Sequence, residues 1–238
     1  VADVFHSIAK LISKEVDPAF TLIYSRLAQY LDLNHVDSTL MTADLLVDLE
    51  QYDLAIREYE KLSKSQPQFY ASELGRAEAL RASGKAMEAI EVLIELTRQY
   101  PNSANGFRTL GNHYRRLEIY DKAEVSYGKA IKLYTAKGEA GWFLYYVRGI
   151  TRERLDSWEL AEKDFRKALS LNPNQPQVLN YLGYSLIEKN SNLDEALDMI
   201  ERAVKESPES GYIIDSLGWC YYKLGQYEKA VPNLERAA

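Results

Sequence analysis

The chain has 238 residues, of which 46% are apolar and 27% are charged, the balance of an ordinary folded domain. Its formal net charge of −6 argues against nucleic acid or an anionic membrane surface as the main partner, because both attract a strongly basic protein surface. No apolar run reaches the roughly 18 residues that a membrane-spanning helix needs, so we predict no membrane insertion by this segment. Cys220 is the single cysteine, which rules out a disulfide framework within these residues.

Small side chains recur along the chain about every 34 residues, a spacing typical of repeated helix pairs. The first series is Ala9, Ala43, Ala77, Gly111, Gly149, Gly183 and Gly218. The second is Thr21, Ala55, Ala89, Ala123, Ala161, Ala196 and Ala230, and the third is Ala28, Leu62, Leu96, Ala130, Ala168, Ala203 and Ala237. Helices that cross at about 8–10 Å need a small side chain at the crossing point. The series therefore predict an all-α solenoid of helix-turn-helix units, each of which buries its apolar face against the next.

In chain order, the period predicts a single array of about seven units, the last of them partial: residues 2–35, 36–69, 70–103, 104–141, 142–175, 176–210 and 211–238. Residues 135–141 add four residues to the period, and their glycines predict a longer loop between the fourth and fifth units. One further residue enters near Asn190 and Asn192, in the turn of the sixth unit, where asparagine tolerates a left-handed backbone. Because the chain stops within the second helix of the seventh unit, we expect it to be part of a longer protein.

The fourth and seventh units carry residues that resemble the tetratricopeptide repeat family, whose pattern places Trp, Leu-Gly and Tyr on the first helix and Ala, Phe and Ala on the second. In the fourth unit the matching residues are Phe107, Leu110, Gly111, Tyr114, Ala123, Tyr127 and Ala130. In the seventh they are Leu217, Gly218, Tyr221, Ala230, Leu234 and Ala237. The resemblance spans the chain and implies a right-handed superhelical solenoid that binds a protein or an extended peptide in its concave groove.

The same resemblance implies which side chains line the groove, namely positions 2, 5, 9, 12 and 13 of each unit, which share one face of the first helix. We predict these peptide-binding residues: Arg108, Asn112, Arg115, Tyr146, Asn180, Tyr184, Asp215, Trp219 and Tyr222. Amides pair with peptide backbone, arginines pair with carboxylates, and aromatic rings supply contact area. The carboxylate clamp of chaperone-binding repeat domains is not matched, because only Arg108 and Asn112 fit its pattern.

Arg148 and Arg152 stand four residues apart, at positions where other units mostly carry apolar side chains. Because a buried arginine needs a partner, we expect a carboxylate nearby, with Asp164, Glu124 and Asp121 as candidates. An internal ion-pair network that joins the fourth and fifth units across the longer loop is the interpretation that we favour. The alternative is a regulator that binds a small anionic ligand or a peptide carboxylate near these two arginines.

The sequence predicts a non-catalytic protein-interaction scaffold. His6, His35 and His113 lie in three different units, none has a second metal-type ligand one helical turn away, and no nucleophile–base pairing is visible. We therefore predict no catalytic residue, no metal and no cofactor. Three segments look like those of bacterial tetratricopeptide repeat proteins that include outer-membrane lipoprotein adaptors: residues 145–150, 180–185 and 215–219. This likeness implies a scaffold of the bacterial periplasm or envelope.

The C-terminal end of the array is predicted to be adhesive. Leu217, Tyr221 and Leu234 belong to an apolar face that the first helix of a following unit would cover. An uncovered apolar face at the end of a solenoid favours association. We therefore expect self-association through this end of the chain.

Overall fold

The computed structural model describes residues 1–237, which form fourteen α-helices and no strand. The first eight helices are α1 (Ala2–Ile12), α2 (Pro18–Leu31), α3 (Val36–Asp48), α4 (Tyr52–Tyr59), α5 (Phe69–Ala82), α6 (Ala86–Gln99), α7 (Ala104–Arg116) and α8 (Tyr120–Ala136). The other six are α9 (Trp142–Arg154), α10 (Trp158–Leu171), α11 (Pro176–Glu188), α12 (Leu193–Glu206), α13 (Gly211–Lys223) and α14 (Tyr227–Ala237). The predicted all-α fold class is confirmed.

The chain divides into two compact parts, Val1–Leu133 and Tyr134–Ala238, which we call the N-terminal unit and the C-terminal unit. The numbered units, first to seventh, remain the sequence repeats. In the N-terminal unit α1 packs on α2, α3 on α4 and α5 on α6, while each pair also contacts the next. In the C-terminal unit the packed pairs are α9 with α10, α11 with α12 and α13 with α14. There the first helices of the last two pairs, α11 and α13, also contact each other. This contact places α11 and α13 side by side.

The small residues of the periodic series lie at helix crossings, as the sequence predicts. A methyl group added at Gly149 would lie 2.6 Å from the Phe165 ring, and one at Gly183 would lie 2.7 Å from Ile200 Cγ1. The same relation joins two further pairs, Gly111 with Tyr127 and Gly218 with Leu234. In the sixth unit the partner comes one residue later in the sequence, because the turn near Asn190 carries the additional residue. The close approach of the two helices therefore requires glycine at these positions.

Most of the insertion before the fifth unit lengthens a helix: α8 has 17 residues where α6 and α10 have 14, and the connection after it is only one residue longer than 100–103 and 172–175. Helix α8 continues through Thr135 to Ala136, so the join to α9 comprises only residues 137–141. Alanine and lysine favour helix, and Gly138, with φ at 73°, supplies the left-handed residue after which the chain turns. The prediction of a long loop over 135–141 is therefore wrong. Among residues 1–237, the longest connection between helices is 60–68, after α4.

The additional residue in the sixth unit lies in the turn between α11 and α12, as predicted. Asn190 and Asn192 both adopt positive φ, at 50° and 49°. Asparagine reaches this left-handed region more readily than most residues, because its short polar side chain hydrogen-bonds locally. The turn can therefore hold one more residue without disturbing the packing of α11 on α12.

Candidate functional site

The three predicted site residues of the N-terminal unit lie on α7 and make hydrogen bonds within the protein. The Arg108 guanidinium donates to Asn105 Oδ1, with Nη2 at 2.6 Å and Nε at 3.2 Å. The Tyr127 hydroxyl donates to Asn112 Oδ1 at 2.8 Å and accepts from Arg115 Nε at 3.3 Å. Tyr127 is fully buried, and burial raises its pKa. Asn112 and Arg115 therefore hold the hydroxyl of a core tyrosine.

The C-terminal unit contains a groove of about 630 Å³ that is lined by α11, α13 and the C-terminal end of α9. The lining residues are Glu153, Arg154, Asn180, Tyr181, Tyr184, Ser185, Glu188, Lys189, Tyr212, Asp215 and Ser216. Three of the predicted site residues, Asn180, Tyr184 and Asp215, belong to this lining. We call this surface the C-terminal groove.

Asn180 is the groove residue that has a buried polar atom without a hydrogen-bond partner in the described part of the chain. It is only 7% exposed, and its Oδ1 atom is buried without a hydrogen-bond partner among residues 1–237. An unpaired buried polar group costs about 1–3 kcal/mol in protein mutational data. A donor brought by a ligand would remove that cost, because rotation of the amide presents either its oxygen or its nitrogen.

Glu153, a lining residue of the groove, connects the end of α9 to α11. Its two carboxylate oxygens accept one hydroxyl each, from Tyr181 at 2.7 Å and from Ser185 at 2.8 Å. Burial raises the pKa of Tyr181, and the hydrogen bond to Glu153 raises it further, so the phenol stays protonated and remains a donor. These bonds fix the spacing between the two helices that carry the groove.

The rim of the C-terminal groove is aromatic. Tyr184 and Tyr212 are 39% and 57% exposed, so their rings are available to a partner. Beyond them, Trp219 and Tyr222 stack with ring centroids 5.3 Å apart and planes at 19°. Trp219 Nε1 donates to Glu188 Oε1 at 2.6 Å, which links this pair to the groove lining. Trp219 and Tyr222 are therefore neighbours of the groove and are not part of its lining.

Tyr146, the remaining predicted site residue, lies in an aromatic cluster and outside the groove lining. Its ring is 5.9 Å from that of Tyr181, edge-on, and 6.2 Å from those of Trp142 and Phe165. Phe165 is fully buried. Most of the Tyr146 ring is thus engaged in packing the fifth unit on the sixth.

Arg148 and Arg152 share one carboxylate, as the sequence suggests. Asp164, which is 3% exposed, accepts from Arg148 Nε at 2.8 Å, from Arg148 Nη2 at 2.7 Å and from Arg152 Nη1 at 2.9 Å. The expected burial and pairing are present within the fifth unit, and Asp164 is the candidate that accepts these bonds. A cavity of about 520 Å³ beside it is also lined by Lys163 and Lys167.

Eight of the eleven lining residues were not among the predicted site residues, and Ser185 and Glu188 illustrate the two reasons. Ser185 lies next to Tyr184, at a position that the five-position rule does not include, and its contact with Glu153 is tertiary. Glu188 occupies position 13 of its unit, so the same rule extended along α11 would have found it. Helical spacing thus carried a signal for Glu188 and none for Ser185.

The expectation about the C-terminal end needs correction. Leu217 and Tyr221 are 7% and 8% exposed, because the pairing of α13 with α14 and the preceding helices cover them. Leu234 is half-buried against Gly218. The exposed apolar side chains at this end are instead Tyr227 and Val231 on α14. Cys220 is also buried, which raises its pKa to about 11 and leaves the thiol protonated.

A larger cavity, of about 680 Å³, lies in the N-terminal unit along α2. Its lining includes Ile23, Leu27, Tyr30 and Leu33 and is mostly apolar. Within residues 1–237, none of the residues that line this cavity has a buried polar atom without a hydrogen-bond partner. We therefore place the candidate site at the C-terminal groove, where an unpaired amide and charged groups converge.

Within residues 1–237, no helix has both the length and the apolar character to cross a membrane.

Comparison with known proteins gives a family match over most of the chain. The family described as tetratricopeptide repeat matches residues 40–104, 74–140, 146–211 and 188–238. The TPR repeat-containing protein PA4667 of Pseudomonas aeruginosa is 26% identical over 200 residues, which are 83% of this chain and 27% of that protein. The chain spans between a fifth and about a quarter of the length of the first curated relatives that it matches.

Solved structures of tetratricopeptide repeat proteins have a similar fold. A tetratricopeptide repeat protein from Parabacteroides merdae superposes with a TM-score of 0.70 and 19% identity, covering 84% of this chain and 78% of that one. YrrB, described as a TPR protein with an unusual peptide-binding site, superposes with a TM-score of 0.57 and 22% identity, covering 78% of this chain and 90% of its own. At these identities the likeness concerns the fold.

Proposed function

The chain belongs to the tetratricopeptide repeat family, and from that premise we propose that it is a non-catalytic interaction scaffold that holds an extended segment of a protein partner in the C-terminal groove. The observation that carries the proposal is the buried, unpaired Oδ1 of Asn180 in the groove lining. An extended peptide offers backbone donors and acceptors in alternation, and these are what an amide binds. YrrB, a protein of similar fold, is described as having a peptide-binding site.

The dimensions of the C-terminal groove suit a short extended segment. The groove crosses from the end of α9 over α11 to α13. Two steps between packed helices span about 16–20 Å, from the usual distance of about 8–10 Å between helix axes. An extended chain covers that distance with about five or six residues, at about 3.3 Å each. Tyr184 and Tyr212 would contribute the apolar contact area.

A binding role also fits the chemistry of the groove better than catalysis. The Ser185 hydroxyl donates to Glu153, and because the same carboxylate also accepts from Tyr181, both hydroxyls serve to hold α11 against α9. All three histidines of the chain belong to residues 1–133, outside the unit that holds the groove. The residues instead offer hydrogen-bonding and aromatic side chains, which favours recognition.

The alternative function is regulation by a small anion or a peptide carboxylate near Arg148 and Arg152. Lys163 and Lys167 line the adjacent cavity and support this alternative. Asp164 opposes it, because its carboxylate already accepts from both arginines. A thermal-shift screen separates the two: stabilisation by acetate or phosphate that is lost in Lys163→Ala with Lys167→Ala would favour the regulator.

The test of the scaffold proposal is selection from a displayed library of random peptides. We expect wild-type protein to enrich peptides that lose binding when Tyr184 and Tyr212 are both replaced by alanine. The matched control replaces Tyr30 and Tyr227, which are 81% and 60% exposed and lie outside the groove. All four rings are exposed, so neither double variant should unfold the protein. Enriched peptides that bind both variants equally would place the binding surface elsewhere.

A further inference from the structure

Resting on the proposed peptide-binding function, we propose that the segment held in the C-terminal groove is basic and places a lysine or arginine side chain between the rings of Tyr184 and Tyr212. The carboxylates of the groove lining, the two tyrosine rings and the unpaired amide of Asn180 carry this inference together.

Two carboxylates of the groove lining make no ion pair within residues 1–237. Glu153 is held by two hydroxyl donors, and it makes no ion pair with a described residue. Asp215 is exposed and likewise makes no ion pair within residues 1–237. The third, Glu188, is already occupied, because it accepts from Trp219 Nε1 at 2.6 Å and lies 3.8 Å from Lys223 Nζ. Negative charge is thus left available in the groove.

The cations of the lining do not cancel this charge. Lys189 Nζ lies 4.9 Å from the centroid of the Trp158 ring and is directed to that contact. Arg154 is exposed at one end of the groove, and it is the one lining cation that would compete with a basic ligand. The groove lining thus has two carboxylates without an ion-pair partner and one arginine that would compete with a ligand. This excess of negative charge favours a positively charged partner.

Tyr184 lies close to two carboxylates of the groove. Burial raises the pKa of Tyr184, and the charges of Glu188 and Asp215 raise it further, so both carboxylates act on this hydroxyl. Tyr184 and Tyr212 expose their rings, and a ring face attracts an ammonium or guanidinium group. A lysine or arginine side chain can therefore contact aromatic rings and pair with a carboxylate at once.

Asn180 is a second, independent observation that points to a hydrogen-bonding ligand in the groove. Its buried oxygen has no partner, and its side chain is more than nine-tenths buried in the groove lining. Lysine and arginine carry only donors, and an extended backbone adds N–H groups. The amide oxygen can thus accept from a basic segment, while the preference for positive charge comes from the carboxylates of the lining.

The experiment uses the full chain and the peptides that it selects from a random displayed library. We expect the peptides that depend on Tyr184 and Tyr212 to be richer in lysine and arginine than the unselected library. For one such peptide, Asp215→Asn should weaken binding by about two- to five-fold, the effect of losing one exposed ion pair. Arg154→Gln should strengthen binding, and added salt should weaken it.

Glu159→Gln is the matched control, because it removes the same charge from an exposed residue of α10 outside the groove. Binding that follows Asp215 and Arg154 in opposite directions and ignores Glu159 would support the inference. Groove-dependent peptides that are neutral or acidic would overturn it and leave the scaffold proposal intact. Peptides that ignore Tyr184 and Tyr212, or a selection that yields no binder, would overturn both.

Discussion

The guanidinium of Arg148 meets the carboxylate of Asp164 through two parallel hydrogen bonds, Nε to Oδ2 at 2.8 Å and Nη2 to Oδ1 at 2.7 Å. The two side chains are 15% and 4% exposed, so the pair lies almost entirely inside the protein. Arg152 adds a third bond to the same carboxylate. This arrangement ties α9 to α10 and makes Asp164 essential to the fifth unit.

We expect Asp164→Ala to reduce the free energy of unfolding by about 3–5 kcal/mol, because removal of one partner leaves buried charge uncompensated. The measurement is urea unfolding followed by circular dichroism. Asp198→Ala is the control, since Asp198 pairs with Arg202 at 3.6 Å on the surface and such a pair is worth about 1 kcal/mol or less. Equal effects of the two substitutions would contradict the buried role of Asp164.

Asn112 and Asn180 should respond in opposite ways to the same substitution. Asn112→Leu removes the acceptor of the buried Tyr127 hydroxyl and should cost about 1–3 kcal/mol of stability. Asn180→Leu removes an oxygen that has no partner, so stability should be unchanged or higher while the binding of selected peptides falls. Melting curves and peptide titrations of both variants test this. A destabilised Asn180→Leu with normal binding would show that Asn180 is structural.

The helix crossings should not tolerate a larger side chain. Gly183→Leu places atoms where Ile200 Cγ1 already lies, 2.7 Å from an added Cβ, and should cost about 1–3 kcal/mol or more. Ala161→Leu should behave similarly, since Ala161 is fully buried. Gly141→Leu is the matched control, because nothing lies within 4 Å of an added Cβ there. Thermal melts of the three variants are the measurement, and three equal melting temperatures would contradict this packing.

Acidification should destabilise the N-terminal unit through His113. Burial lowers the pKa of His113 below 6.5, its Nε2 atom has no hydrogen-bond partner, and Glu78 Oε2 lies 3.9 Å away. A base whose pKa is lower when folded stabilises the protein fully above the unfolded pKa, and that stability is lost as the pH falls through the folded value. We therefore expect the melting temperature to decline from about pH 6.5 downward, the usual pKa of histidine.

The variant His113→Gln tests this because it cannot titrate. Its melting temperature should depend less on pH between neutral and mildly acidic conditions, whatever its absolute stability. His6 shares the direction, since burial also lowers its pKa, so His6→Gln should remove part of the remaining slope. Parallel curves for wild type and His113→Gln would show that His113 does not carry the effect.

Self-association through the C-terminal end remains a prediction, now assigned to α14. Tyr227 and Val231 are 60% and 53% exposed and stand four residues apart on one helix face. We expect light scattering to show association that increases with concentration and is abolished by Val231→Lys. Val125→Lys is the control, because Val125 is 59% exposed on another helix. A wild-type protein that stays monomeric at every concentration would contradict the prediction.

The sequence by itself determined the helical fold and where its helices cross, because a crossing at close distance accepts only small side chains and the chain repeats them with one period. Gly149 and Gly183 could therefore be assigned to crossings without a structure. The same spacing placed Asn180 and Tyr184 on one helix face, and the resemblance to the tetratricopeptide repeat added Asp215; the C-terminal groove includes all three. Helical periodicity is a local property, so it can be read from the order of residues.

Only the tertiary structure decided which of the predicted polar residues keep free hydrogen-bonding groups. Asn112 and Asn180 are the same residue type on the same kind of helix, yet Asn112 Oδ1 accepts from the Tyr127 hydroxyl and Asn180 Oδ1 has no hydrogen-bond partner within residues 1–237. That difference depends on side chains that arrive from another helix, which no local spacing encodes. The end of α8 was also evident only in the structure. The helix includes Thr135 and Ala136, and it stops just before Gly138, which has a left-handed backbone.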